Sequence, residues 1–292
     1  MSDSPKQLPK HHYIPVFYLK EWASPIDGRV TAFRRPFGDQ VSADRKSPKH
    51  TGYDRGLYWL DSAPDRESAN LIETLVMGPV DHNAAIAHQF IMRDDIKGIP
   101  AAIREAWSRF LVGLLLRSPA NINDVYERMM NPSPKERDEI REITEGALLP
   151  EDFSAEATKR MALRVIVDMI RGTGVEEVIN KMRWSIYNLA SSKLEFLTSD
   201  RPVIMANGIG RLGGHLATPL SPRKLFLAFA DEATQRDFKR RTAEDIVNTV
   251  NNRVVRRAIQ LAWSTSAKPL RYMQKNLSAE AADDQNFYAG LE

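Results

Sequence analysis

The chain has 292 residues, 42% hydrophobic and 27% charged, which is enough for a large core. That composition excludes collagen, a wholly disordered chain and a disulfide scaffold. Lys and Arg number 41 against 38 Asp and Glu, a net charge of +3, which permits an anionic partner without demanding one. The lack of cysteine excludes disulfides, thiolate zinc sites, iron–sulfur clusters and cysteine nucleophiles.

Residues 1–10 carry two prolines and no hydrophobic pattern, and read as a flexible lead-in without the apolar stretch of a signal peptide. His11–Trp22 follows, with Pro15 suited to the first turn of a helix and Phe17, Tyr18, Leu19 and Trp22 on one apolar face. Arg29–Arg34 alternates like a strand. Tyr53, Leu57, Tyr58 and Trp59 supply one or two short extended pieces.

The middle is helical. Leu71, Ile72, Leu75 and Val76 share a helix face that Gly78-Pro79 kinks or ends. Trp107, Phe110, Leu111, Leu114 and Leu115 recur at helical spacing. The run Phe110–Leu116 is far shorter than the roughly 20 residues of a membrane span, so a cytoplasmic protein without a membrane partner is expected. Ser133 is the natural N-cap of a helix opening at Pro134. Ala162, Val165, Ile166, Met169 and Ile170 mark another helix, and a further one is expected to run to Leu189.

Beyond it the period changes. Leu194–Ser199, Pro202–Met205 and Lys224–Ala230 read as strands, residues 242–263 as a helix, and residues 278–292 as a loosely ordered tail. Strands at both ends around a helical block of about 65–190 predict an α+β fold. The expected architecture is a small antiparallel or mixed sheet built from both termini, within one domain over 11–277.

Gly208–Gly213 spells G-x-G-x-x-G, but Gly214, Pro219 and Pro222 forbid the helix that dinucleotide binding needs. The six histidines have no metal-ligand spacing, so no metal ligands are assigned. Two places break local rules. His11-His12-Tyr13 sets polar rings against an apolar segment, and either histidine is a candidate general acid or base; the competing reading is a histidine bonded to a carbonyl. One residue of register decides which of the two faces inward. Thr198-Ser-Asp-Arg-Pro202 puts Asp200 at a strand end, where it either enters a cleft or closes an Asx turn.

The stretch His11–Trp22 resembles the H-Y-x-P-x-x-Y-L-x-x-F/W opening of the bacterial proteins grouped as domain of unknown function 4238. The resemblance continues through Val30–Phe33, Leu57-Tyr58, Glu73 and Leu116-Arg-Ser-Pro119. It resumes at Phe196–Val203, Thr218–Pro222 and Asn248–Asn252. Arg201 departs from the Asn common at that position. The resemblance implies one domain and one site shared by His12, Asp200 and Arg117, and supplies no activity.

These residues suggest a hydrolase acting on phosphodiester bonds. His12 or His11 would be acid or base, Asp200 and Glu73 would orient it or hold a divalent cation, and Arg117 and Arg201 would neutralise charge. Tyr13, Tyr18, Arg201 and Ser199 would contact substrate. The alternative is a non-catalytic module for nucleic acid or protein, with the polar set structural and Tyr13, Tyr18, Tyr53 and Tyr58 offered for stacking. A third reading makes the helical block a homo-oligomer interface. Basic residues outnumber acidic ones by ten to six in residues 1–60 and nine to five in 223–257. If the two ends fold together, the site is therefore more positive than the whole chain.

Overall fold

Residues near the start of the chain pair with residues near its end. Strand β2 (Val30–Phe37) alternates its side chains. It hairpins with β3 (Gln40–Lys46) and pairs on its other edge with β10 (Ala262–Ser264), Phe33 opposite Ala262. β6 (Thr198–Ser199) completes the four-stranded order β3-β2-β10-β6. The computed structural model describes residues 7–61, 63–143, 154–172, 174–190 and 194–280. Among them, two further antiparallel sheets replace the one expected. β1 (Lys10–His12) pairs with β4 (Tyr53–Arg55), and β5 (Arg183–Asn188), β9 (Lys224–Phe229), β8 (His215–Ser221) and β7 (Ile204–Ala206) form the third in that order.

The opening motif is a short staple. Helix α1 (Val16–Leu19) continues as a 3₁₀ turn through Trp22. Tyr18 donates its hydroxyl proton to the Pro219 carbonyl (2.6 Å) and meets Thr198 Oγ1 at 2.9 Å, while the Trp22 indole donates to the Phe196 carbonyl at 2.9 Å. Both side chains are fully buried, so this segment joins the two four-stranded sheets.

The helical block comprises α2 (Arg66–Ala69), α3 (Gly78–Met92), α4 (Ala101–Leu116), α5 (Pro119–Met130), α6 (Pro134–Ile143), α7 (Ala155–Gly172) and α8 (Val175–Lys181). All five apolar residues expected along α4 are buried. The Ser133 cap forms, its Oγ accepting the Glu136 N–H while Glu136 accepts the Ser133 N–H. A π-helical turn at Glu73–Met77 leads into α3 without a break. Its wider turn rotates the face that simple periodicity predicts: Val76 and Met77 are buried but Leu75 is exposed, and Leu71, ahead of the turn, is exposed as well.

Three other boundaries differ from the sequence reading. Residues 183–188 are strand rather than helix, because Arg183–Asn188 offers β-forming Trp, Ile and Tyr to the edge of β9. The expected helix over 242–263 stops as α10 at Ala243–Arg256, and its last residues supply β10. Strands β3 and β8 and the helices α9 (Glu232–Lys239) and α11 (Leu270–Asn276) were not anticipated. The glycine-rich stretch is the β7–β8 loop, with Gly208, Gly210 and Gly213 at positive φ. Most of the expected tail lies outside the described residues. Among those described, no helix is long and apolar enough to cross a membrane.

Candidate functional site

The β1–β4 pairing places His11 opposite Asp54 and His12 opposite Tyr53. Successive residues of a strand face opposite sides, and the two histidines accordingly have different tasks. His11 is buried and stacked on Tyr58, ring centroids 5.3 Å apart. Its Nδ1 accepts the Tyr58 backbone N–H (2.9 Å), so its Nε2 carries the proton given to Asn70 Oδ1 (2.8 Å). Burial lowers its pKa below the usual histidine value. His12 packs against Tyr53 and bonds the Lys49 backbone; burial lowers its pKa to about 4 and leaves Nε2 enclosed without a partner. Both rings are neutral at pH 7.

Arg117, at the end of α4, is 0% exposed. Its Nη1 donates to Asp81 Oδ1 (2.6 Å) and its Nε to the Tyr13 carbonyl (2.9 Å), and the Tyr58 hydroxyl donates to the Arg117 carbonyl (3.2 Å). Glu73, from the π turn, feels the Asp81 and Arg117 charges. Burial raises its pKa to about 7, with Asp81 adding to the rise. Glu73 Oε2 and Arg117 Nη2 are enclosed without partners. His11 and Arg117 thus belong to one buried network with Tyr58, Asn70 and Asp81; Glu73 joins it through charge, whereas His12 faces the other side and bonds the Lys49 backbone.

The sign of the Glu73 contribution follows from its raised pKa. The folded protein holds this proton more tightly, so its favourable contribution is complete below about pH 4.5. It is lost as pH rises through about 7. Glu73→Gln is therefore expected to gain roughly 2–3 kcal/mol on wild type between pH 5 and pH 8 in urea unfolding. Parallel pH profiles for the two proteins would refute the placement.

Asp200 forms a separate node. It is 4% exposed, and its carboxylate accepts the N–H groups of Ile259 (2.9 Å, Oδ1), Gln260 (2.6 Å, Oδ2) and Leu261 (2.9 Å, Oδ2). Burial raises its pKa and the three amides oppose the rise. These bonds fix the loop between α10 and β10, and none goes to His11, His12, Glu73 or Arg117. Arg201 donates to Asn121 Oδ1 on α5 (3.2 Å), and its own N–H bonds Ser199 Oγ. Ser199 and Tyr18 are fully buried, a position that serves the core rather than a ligand. Of the four tyrosines considered for stacking, Tyr13, Tyr18 and Tyr58 are buried and Tyr53 is half-exposed.

The loop that Asp200 holds separates two clefts. On one side lies a basic cleft of about 540 Å³, lined by Arg34, Arg35, Lys46, His50 and Tyr53, with Asp44 its one carboxylate. Hairpin register explains it: Ala32 pairs with Asp44 and Val30 with Lys46, so Ala32, Arg34, Asp44 and Lys46 share one face. Arg34 lies 3.6 Å from Asp44, whereas Arg35 spends its donors on the carbonyls of Asp39, Gln274 and Leu277. Lys46 has no ion pair among the described residues. The other basic pairs are more nearly neutralised, with Arg240 on Asp237, Arg241 on Asp245 and Arg256 on Glu280.

On the other side is a groove of about 840 Å³ between residues 54–61, α5 and α7. Leu57, Ile122, Tyr126 and Ala162 give it apolar walls, and Lys159 and Asp61 form an ion pair at 2.9 Å. A recess of about 10 Å³ lies between the clefts. It shares Ile259 and Gln260 with the basic cleft and Pro119, Ala120 and Gln260 with the groove. Sequence reasoning missed Lys46, Asp81 and Gln260. Lys46 was legible only as one more basic residue, and the others carry no local signal. No group of three ligating side chains suited to a metal ion occurs among the described residues.

A family model described as "Protein of unknown function (DUF4238)" matches residues 10–268. No curated protein and no solved structure matches the chain.

Proposed function

The chain belongs to the DUF4238 family, and from its two clefts we propose that it binds single-stranded nucleic acid. The observation carrying this reading is the basic cleft, where Arg34 and Lys46 share a face with its single carboxylate, Asp44, beside an aromatic ring. Phosphate neutralisation supplies most sequence-independent affinity, and at the cleft wall Tyr53 carries Lys10 over its ring at 4.6 Å, a further cation that an unpaired base would displace on stacking. The groove has apolar walls and more carboxylates than cations, so it suits a base rather than a phosphate. Its volume lies within the usual range for small-molecule sites.

The test is fluorescence anisotropy with a labelled ten-nucleotide strand over a salt series. Lys46→Ala is expected to weaken binding and reduce the salt slope by about one, leaving thermal stability unchanged. An unaltered slope would remove Lys46 from the interface, and no binding at low salt would end the proposal.

One observation favours a second reading, phosphodiester hydrolysis. Glu73 has a pKa of about 7 beside a buried arginine, a suitable value for general acid–base work. Its carboxyl lies in the buried network rather than on a cleft wall, which is why binding stands first. The Glu73→Gln variant decides between them. Cleavage of the same strand, with or without magnesium, that this variant abolishes would carry hydrolysis; an intact strand would exclude it.

A further inference from the structure

The recess beneath Gln260 has the size and the chemistry of one hydroxyl group. At about 10 Å³ it has room for a single water-sized group. Tyr13, 3% exposed, forms one wall. Its backbone N–H is bonded to Gly52 and its carbonyl to Arg117, while its phenol hydroxyl has no hydrogen-bond partner among the described residues. That hydroxyl is not one of the enclosed side-chain atoms that lack a partner, so it opens onto space that an incoming group can enter. Asp200 forms another wall. Its Oδ2 takes two amides but its Oδ1 only one, so Oδ1 retains room to accept.

The group that completes this pair accepts a proton from Tyr13 and donates one to Asp200. An anion would meet the Asp200 carboxylate, a methylene satisfies neither group, and a cation would leave the Tyr13 hydroxyl proton without an acceptor. A hydroxyl does both. The recess also lies between the basic cleft and the apolar groove, touching each through Gln260. The order cleft, recess, groove matches the order phosphate, sugar, base within a nucleotide.

We propose that this recess receives the 2′-hydroxyl of a ribose, so that the protein selects RNA over DNA. The inference rests on the nucleic-acid reading above and adds the identity of the sugar. The 2′-hydroxyl, both donor and acceptor, is the group by which proteins tell the two polymers apart. Tyr13→Phe removes the phenol oxygen and keeps the buried ring.

The experiment compares RNA and DNA strands of one sequence by anisotropy at fixed salt, with wild type and Tyr13→Phe. Wild type is expected to bind RNA on the order of tenfold tighter, the worth of one hydrogen bond to a charged acceptor. Tyr13→Phe removes one of the two bonds and keeps the Asp200 acceptor, so it is expected to weaken RNA binding about three- to tenfold and leave DNA unchanged. Equal wild-type affinities, or a variant that weakens both strands alike, would overturn the inference while the nucleic-acid reading stands. Failure of both strands to bind would overturn that reading itself. Should Tyr13→Phe not fold, wild type with 2′-O-methyl RNA serves instead. Loss of affinity to the DNA level supports the recess, and unchanged affinity refutes it.

Discussion

Replacing Arg117 with methionine is expected to destabilise the protein by about 3–5 kcal/mol, measured by urea unfolding at pH 7. The guanidinium is 0% exposed and holds Asp81 at 2.6 Å and the Tyr13 carbonyl at 2.9 Å. Removing it leaves the enclosed Tyr13 carbonyl without its donor and the Asp81 carboxylate, 24% exposed, with water as its main partner. The effect reports the cost of the groups left behind, so the double variant Arg117→Met/Asp81→Leu is expected to lose less than the single one. Arg117→Lys keeps the charge but not the planar fork that serves two acceptors at once, and is expected to recover only part of the loss. A deficit under 1 kcal/mol for Arg117→Met would show that the network does not hold β1 against α4.

Asp200→Ala is expected to cost about 3 kcal/mol or more and, in addition, to abolish ligand binding. Three backbone amides, at residues 259–261, share this one carboxylate, and a buried donor without an acceptor costs about 1–3 kcal/mol. The same loop carries Ile259 and Gln260, which the clefts share with the recess, so its release disturbs both. Asp200→Asn keeps one acceptor oxygen and is expected to fall between wild type and Asp200→Ala. Intact anisotropy binding by a folded Asp200→Ala protein would separate the loop from the ligand.

Much of this arrangement is legible in the sequence where period and chemistry agree. The stripe from Trp107 to Leu115 and the Ser133 cap need only local rules, and the structure has both. Val30–Phe33 was readable as a strand, but its partner was not, because nothing near Phe33 names Ala262. The π turn over Glu73–Met77 defeated periodicity at Leu75, since one wider turn shifts every later side chain. At the site, His11 stood out for its chemistry, whereas Glu73 and Arg117 stood out only through the family resemblance. Asp81, which joins the last two electrostatically, looks like any helix-surface aspartate until α3 packs on α4. The basic cleft depends on a hairpin meeting a loop more than two hundred residues away, a juxtaposition that only the folded chain supplies.

The pairing of β2 with β10 also dictates when this protein can fold. A ribosome releases Phe33 long before Ala262, and at about 5–20 residues per second the gap lasts on the order of ten seconds or more. Throughout synthesis one edge of β2 waits for a strand not yet made, and such an edge is a template for wrong pairing. The exposed charge of Arg34 on β2 discourages neighbouring nascent chains from adding to it. Arg34, proposed to face phosphate, thus also stands beside a sheet edge that stays open until the end of the chain arrives to close it.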